Sequence, residues 1–254
     1  MKKLTWNDHT ETLDTLFEGR LKIVQKKNGY RFSIDALLLA HFADPGPRDR
    51  VIDLGTGCGI IPLILTFRKK TTRVIGVEVQ PPLADLARRN AALNRLTSRI
   101  EIWEENFKEL KDEDLKGAFD LAVSNPPYRK IGSGRINPDP EKSLARHEIN
   151  ASLEDVLRAA CRLLRDKGRL DMIYPVSRGA EVLKAMAGFH LEPKRLRFVH
   201  SHEGDEACLM LVEAVKEGRP QLKVLPPFFL FDSKGNYTSA GQDLFCRGPA
   251  GEFP

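Results

Sequence analysis

The sequence predicts a doubly wound α/β fold: a mostly parallel sheet wrapped by helices on both faces, with an antiparallel hairpin at its C-terminal edge and a small N-terminal extension. Three observations predict it. From Arg50 onward, short apolar runs alternate with helical patterns, as strands do when crossover helices join them in parallel. The first of these runs opens directly into a glycine-rich turn, Gly55-Thr56-Gly57-Cys58-Gly59. Near the end, two apolar runs, "EPKRLRFVH" and "ACLMLVEAV", follow each other with no helix between them.

The elements follow in order. "RLKIVQKKNGYRF" (Arg20–Phe32) reads as two short strands around a turn at Asn28-Gly29. Ser33 can cap a helix through Ile34–Ala43, which "DPGP" terminates. "RVIDLG" is a strand and "CGIIPLILTFRKK" a helix behind it. "TRVIGVEV" is a second strand, and "PPLADLARRNAALNRL" a helix with prolines in its first turn. "RIEIWE" and "AFDLAVS" are further strands. "SLEDVLRAACRLLRDKG" is an amphipathic helix with Ser152 as N-cap and Gly168 at its C-terminal end. "GRLDMIYP" and "VSRGAEVLKAMAG" add a strand and a helix before the final strand pair. The expected division is an N-terminal extension over 1–48, a main domain over 49–215, and a Pro/Gly-rich C-terminal extension over 216–254 whose "LPPFFLF" packs on the domain.

Composition bounds the function. The 254 residues suit one α/β domain with small additions. A content of 41% hydrophobic and 30% charged residues is that of a soluble globular protein. No apolar run approaches the ~20 residues of a membrane span, and "MKKLTWNDHTETLD" has no apolar stretch behind its lysines, so neither a membrane partner nor a signal peptide is expected. Cys58, Cys161, Cys208 and Cys246 are far apart and form no CxxC pair. That suggests neither a zinc site nor a disulfide framework, and fits a reducing cytoplasm. The net charge of +5 permits a polyanionic partner such as nucleic acid without requiring one. The oligomeric state is left open, with a monomer the simpler expectation.

Two features point to a nucleoside. Asp53 closes the first strand of the alternating region, and Gly55, Gly57 and Gly59 occupy the turn into the next helix. This GxGxG is one residue short of the dinucleotide spacing and lacks the GK[ST] of a phosphate-binding loop. A tight turn alone needs fewer glycines, so a ligand is expected at the carboxyl ends of the strands. Glu78 ends the second strand about 20 residues on, where an acid can accept hydrogen bonds from ribose hydroxyls. Nucleoside recognition without a phosphate signature points to an adenosyl ligand whose other end is small and charged.

The fourth strand, "FDLAVS", stops at Asn125-Pro126-Pro127-Tyr128. Two prolines forbid a helix there and cannot continue a central strand. "DLGTGCG", Glu78 and "NPPY", in this order and spacing, resemble the class I S-adenosylmethionine-dependent methyltransferases of the NPPY type. The resemblance implies a Rossmann-like sheet, S-adenosyl-L-methionine as cofactor, and methylation of a planar conjugated NH₂. It also implies that Asp53, Gly55, Thr56, Gly57, Gly59, Glu78 and Asn125 face that cofactor.

The chemistry suits the residues. An exocyclic adenine amine or a carboxamide nitrogen is a poor nucleophile because its lone pair is delocalised. The Asn125 side-chain oxygen and the Pro126 carbonyl can each hold one N–H, turning the lone pair toward the methyl donor and stabilising charge that develops on nitrogen. Pro126 and Pro127 stiffen the loop, and Tyr128 offers a ring on which a flipped-out base can stack.

"GYRFSIDALLLAHF", "ARHEINASLEDVLRAACRLLRDKGRL", "LEPKRLRFVH" and "FFLFDSKGNYT" extend the likeness nearly end to end, to bacterial tRNA adenine-N6 methyltransferases acting on a valine tRNA beside the anticodon. That resemblance implies tRNA as partner. It implies contact of Asn106 with the cofactor's adenine amine, at a position where relatives commonly carry an aspartate. It places Asp35 near the methionine end. The basic segment Arg129–Glu148, with Arg129, Lys130 and Arg146, follows the motif directly and is a candidate phosphate clamp. Lys26, Lys27, Arg31, Lys194, Arg195 and Arg197 are further bases, each more simply a solvated face.

"HSHEGDE" (His200–Glu206) invites a metal reading, but a hairpin turn explains it and the chemistry needs no metal. Cys161 is most simply core. Two alternatives stay open at the level of sequence: a protein glutamine methyltransferase using the same loop, and a non-catalytic RNA-binding module that keeps the fold.

Overall fold

The computed structural model describes residues 6–29, 31–69, 72–110, 113–126 and 151–246. The chain opens with an antiparallel hairpin, β1 (Glu11–Leu16) and β2 (Leu21–Lys26). This corrects the expected pairing. The two strands flank the turn at Phe17–Arg20, and the Asn28-Gly29 turn leads out of the hairpin toward α1 (Ile34–Phe42). β1 is polar in sequence because Glu11, 9% exposed, is held by both guanidinium nitrogens of Arg89 at 2.8–2.9 Å. A partner 78 residues away is invisible to a local pattern.

From Arg50 the alternation produces the expected sheet. β3 (Arg50–Leu54), α2 (Ile60–Arg68), β4 (Arg73–Val77), α3 (Pro81–Leu93), β5 (Ile100–Trp103) and β6 (Phe119–Ser124) precede α4 (Leu153–Leu163). Then come β7 (Leu164–Pro175), α5 (Gly179–Gly188), β8 (Leu191–His200) and β9 (Ala207–Lys216). The C-terminal stretch adds β10 (Lys223–Val224), β11 (Phe228–Phe229) and α6 (Ser239–Cys246). Across the sheet the order is β5-β4-β3-β6-β7-β9-β8, with β10 and β11 both pairing parallel to the outer side of β8. β3 to β7 are mutually parallel; β9 runs antiparallel to β7 and β8. The antiparallel pair therefore closes the C-terminal side, and two short strands blunt its free edge.

Two layers of apolar side chains cover the sheet. One face packs α1, α2, α3, the N-terminal hairpin and α6; the other packs α4 and α5. Phe17 in the hairpin turn stacks on Phe67 of α2 with ring centroids 4.6 Å apart. Leu225, Phe228 and Phe231 of the C-terminal stretch pack against the first layer.

Local chemistry sets the helix ends. Ser152 caps α4 in a reciprocal box: its hydroxyl accepts from the Asp155 N–H, and Asp155 accepts from the Ser152 N–H. Ser33 occupies the N-cap of α1 without a side-chain cap bond. Gly168 does not cap α4. The helix ends at Leu163, Lys167 takes the left-handed conformation (φ 62°), and Gly168 already lies in β7. A Cβ on Gly168 would stand 2.8 Å from the Arg165 carbonyl, so closeness of backbone explains this glycine. "HSHEGDE" forms the turn from β8 to β9, where Asp205 accepts from the His202 N–H at 3.0 Å. Cys161 is half-buried against the α4 layer.

Among the described residues, no helix is long and apolar enough to cross a membrane. Among the same residues, no three His, Cys, Asp or Glu side chains are grouped to hold a metal ion.

Candidate active site

The sheet order reverses at β3, which has β4 on one side and β6 on the other. The crevice beyond the carboxyl ends of β3 and β6 is where an open α/β sheet binds ligands. A cavity of about 280 Å³ occupies it. Leu54, Gly55 and Gly57 line it from β3 and its turn; Glu78, Val79, Gln80 and Leu83 from the end of β4 and the start of α3. Asn106, Phe107 and Lys108 come from the segment after β5, and Ser124, Asn125 and Pro126 from the end of β6. Arg31, Ser33 and Asp35, with Ala151 and Val156, complete the wall.

The glycine turn is hooked onto β4 by its own amides. Gly55 and Thr56 both donate to the Val77 carbonyl, at 3.0 and 2.9 Å, and Gly57 donates to Glu78 Oε2 at 2.9 Å. Gly55, Gly57 and Gly59 all have positive φ, 82°, 59° and 82°, which explains their alternation. A Cβ built on Gly55 would meet nothing within 4 Å, so the backbone here faces open cavity that any side chain would occupy. Thr56 lies on Gly76, where a Cβ would come within 2.8 Å of its hydroxyl. That hydroxyl donates to Asp53 Oδ2 at 2.6 Å.

The two acids carry unequal environments. Asp53 is 1% exposed, and its Oδ1 has no hydrogen-bond partner. Burial, reinforced by the nearby Glu78 charge and opposed by the Thr56 bond, pushes its carboxyl up to about 7. Burial also raises Glu78, while N–H bonds from Gln80 and Gly57 hold it down.

The expected cofactor-facing residues fall into two groups. Gly55, Gly57, Glu78, Asn106, Asn125 and Asp35 line one cavity. Asp53, Thr56 and Gly59 stand behind its wall, where they shape the turn: Gly59 is the N-cap of α2, and a Cβ there would sit 3.1 Å from the Ala87 Cβ. Of the expected catalytic and substrate residues, Asn125 and Pro126 are at the cavity; Pro127, Tyr128, Arg129, Lys130 and Arg146 lie outside the described residues. Sequence reasoning missed Val79, Gln80, Phe107, Lys108 and Ser124. Val79 left a trace: it is an apolar residue just beyond a strand end, and it is 36% exposed.

The donor set suits an adenosyl ligand with a charged tail. Each Glu78 oxygen accepts one backbone N–H, at 2.9 Å, and keeps a lone pair for a ribose hydroxyl. Val79, Leu83 and Phe107 offer an apolar bed for a purine. The Asn106 amide is fixed at both ends: Oδ1 accepts from the Lys108 N–H and Nδ2 donates to Glu109, each at 3.1 Å. Its oxygen retains capacity for one more donor, such as an adenine amine. Asp35, in the first turn of α1, can meet an ammonium group.

Residues 33–189 match the family model described as the methyltransferase small domain. A tRNA1(Val) (adenine(37)-N6)-methyltransferase of Porphyromonas gingivalis is 36% identical over 200 residues, covering 76% of this chain and 78% of the relative. One of the same name from Aeromonas salmonicida is 32% identical over 179 residues, covering 70% and 73%. Among solved structures, one described as a predicted O-methyltransferase from Agrobacterium tumefaciens superposes with a TM-score of 0.67 at 25% identity, covering 83% of this chain and 94% of the other. With a switch-point cavity, an acid-anchored glycine turn and a family match over most of its length, the chain belongs to the methyltransferase small domain family.

Proposed function

We propose that this methyltransferase transfers a methyl group from S-adenosyl-L-methionine to the exocyclic N6 of an adenine in tRNA. The observation that carries the reading is the meeting of Gly55, Glu78, Asn125 and Pro126 around one cavity at the switch point. The names of the relatives from Porphyromonas gingivalis and Aeromonas salmonicida support adenine in tRNA as the target.

When bound, the cofactor supplies an electrophilic methyl group. Glu78 would hold the ribose, Val79, Leu83 and Phe107 would exclude water from the purine, Asn106 would accept from its amine, and Asp35 would meet the amino-acid end. Asn125 Oδ1 and the Pro126 carbonyl accept the two N–H groups of the target amine. Both acceptors directly follow β6, and they stabilise positive charge as it develops on nitrogen. A proton then leaves the nitrogen for solvent. Tyr128 stacks on the extruded base, and Arg129, Lys130 and Arg146 contact neighbouring phosphates.

The test is methyl transfer from labelled S-adenosylmethionine to unmodified total tRNA, rRNA and a soluble protein extract in parallel, with products digested to nucleosides and amino acids. The reading expects label in N6-methyladenosine from tRNA. Label in glutamine, with none in tRNA, would overturn it.

A further inference from the structure

Ser124 immediately precedes Asn125 and is fully buried (0% exposed). The parallel ladder between β3 and β6 pairs Val51 with Leu121, Ile52 with Ala122 and Asp53 with Val123, and ends there. Just beyond the last rung the two strands part to form the cavity, Gly55 on one side and Asn125 on the other. Ser124 bridges that fork. Its hydroxyl donates to the Leu54 carbonyl at 3.0 Å, so a side chain supplies the cross-strand bond at the next level. On its other side, Ser124 is still in register with Met172 of β7. One residue is thus fixed against both neighbouring strands, and the cavity opens at the next position of β3 and of β6.

We infer that Ser124 is a positioning residue for the transfer. Its hydroxyl sets the separation between the glycine turn, which faces the methyl donor, and the Asn125-Pro126 acceptors, which orient the amine. The inference rests on the proposed methyl transfer, and deepens it by naming what holds the two half-sites in register. Deleting the hydroxyl removes the bond that ties β6 to the Leu54 carbonyl and frees the fork to splay. Misplacement on the order of 1 Å at reacting groups costs roughly 10²-fold in rate. Gly57, Glu78 and Asn106, which hold the nucleoside, are untouched, so cofactor affinity is preserved. This separates a positioning role from a general weakening of the fold.

The experiment compares Ser124→Ala and Ser124→Thr with the wild-type protein by three readouts: kcat and KM on tRNA, cofactor affinity by calorimetry, and amide hydrogen exchange at Gly55 and Asn125. Ser124→Ala is expected to lose about 10- to 100-fold in kcat, with KM and cofactor affinity little changed and faster exchange at both amides. Ser124→Thr restores kcat and protection. A wild-type kcat in Ser124→Ala overturns the inference, as does an equal loss of kcat and cofactor affinity that Ser124→Thr does not rescue. If the wild-type protein methylates no tRNA, the functional reading falls on its own. Exchange then decides the role of Ser124: unchanged protection in Ser124→Ala refutes the bridge, and faster exchange restored by Ser124→Thr supports it.

Discussion

Gly57 donates its N–H to Glu78 Oε2 at 2.9 Å, across 21 residues of sequence. The other oxygen of the same carboxylate accepts from Gln80, also at 2.9 Å. One side chain thereby fastens the glycine turn to the start of α3 and still presents lone pairs to the cavity. Replacing it therefore has two consequences. Glu78→Ala is expected to strand two backbone donors, at about 1–3 kcal/mol for each that stays buried, and to lower cofactor affinity by roughly 100-fold or more. Calorimetric titration with S-adenosylhomocysteine, beside a thermal melt, checks both. Glu78→Gln should lose part of both, because a carboxamide keeps one acceptor oxygen and sets an N–H against the other backbone donor.

Asp53 is expected to make cofactor affinity depend on pH. Its carboxyl is pushed up to about 7, mainly by burial. A positively charged ligand in the adjacent cavity favours the ionised form, so binding draws the group toward its charged state and releases protons. Affinity for S-adenosylmethionine is expected to rise as pH increases through about 7. The rise should be shallower for S-adenosylhomocysteine, which lacks the sulfonium charge. Asp53→Asn should flatten the difference between the two ligands.

Asn90 joins the hairpin to the glycine turn. It is fully buried, accepts from the Val24 N–H at 2.7 Å, and donates to the Val24 and Cys58 carbonyls at 3.0 Å each. One turn later Asn94 repeats the pattern with both backbone groups of Lys22. Two amides, one on α3 and one at its C-cap, thus act toward β2 as a further strand would. Asn90→Leu removes all three bonds, and a loss on the order of 2–4 kcal/mol in unfolding free energy is expected, with raised amide exchange at Val24 ahead of global unfolding. Full protection at Val24 in that variant would contradict the linkage.

Asp171 gives stability its own pH dependence. It is fully buried in β7, opposite Glu213, and neither carboxylate oxygen has a hydrogen-bond partner. Burial, then the Glu213 charge, raises its carboxyl from 3.8 to about 8, against the pull of Arg169 and Arg195. The folded state therefore binds this proton more tightly than the unfolded state. Its contribution is fully present below about pH 4 and is lost as pH rises to about 8. Asp171→Asn is expected to gain in melting temperature relative to wild type as pH rises over that range. A constant difference between the two proteins would contradict this reading of Asp171.

Where local pattern and tertiary context agree, the residues alone are informative. β3, β4, β5 and β6 are short apolar runs whose burial needs no distant explanation, and Ser152 caps α4 with the box its spacing implies. β1 failed that test because Glu11 and Asp14 depend on partners elsewhere: Arg89 for one, Arg31 and Gln25 for the other. Gly168 misled for a different reason. A glycine after a helix suggests a left-handed cap, yet Lys167 takes that conformation and Gly168 answers a steric need. At the site, glycine spacing and Glu78 could be read because backbone chemistry demands those residue types. Whether a residue faces the cavity, as Gly55 does, or lies behind it, as Asp53 does, depends on the twist and packing of the sheet. Ser124 carries no signal at all in sequence. Its significance comes from the carbonyl of Leu54, 70 residues away.

The most direct test of the account separates binding from chemistry at Asn125. Single-turnover methyl transfer to tRNA by Asn125→Ala is measured beside its cofactor affinity. The account predicts a fall in rate of about 10²- to 10³-fold, with cofactor affinity close to wild type. A near-wild-type rate would contradict it, because Asn125 and the Pro126 carbonyl would then not be the acceptors that orient the amine.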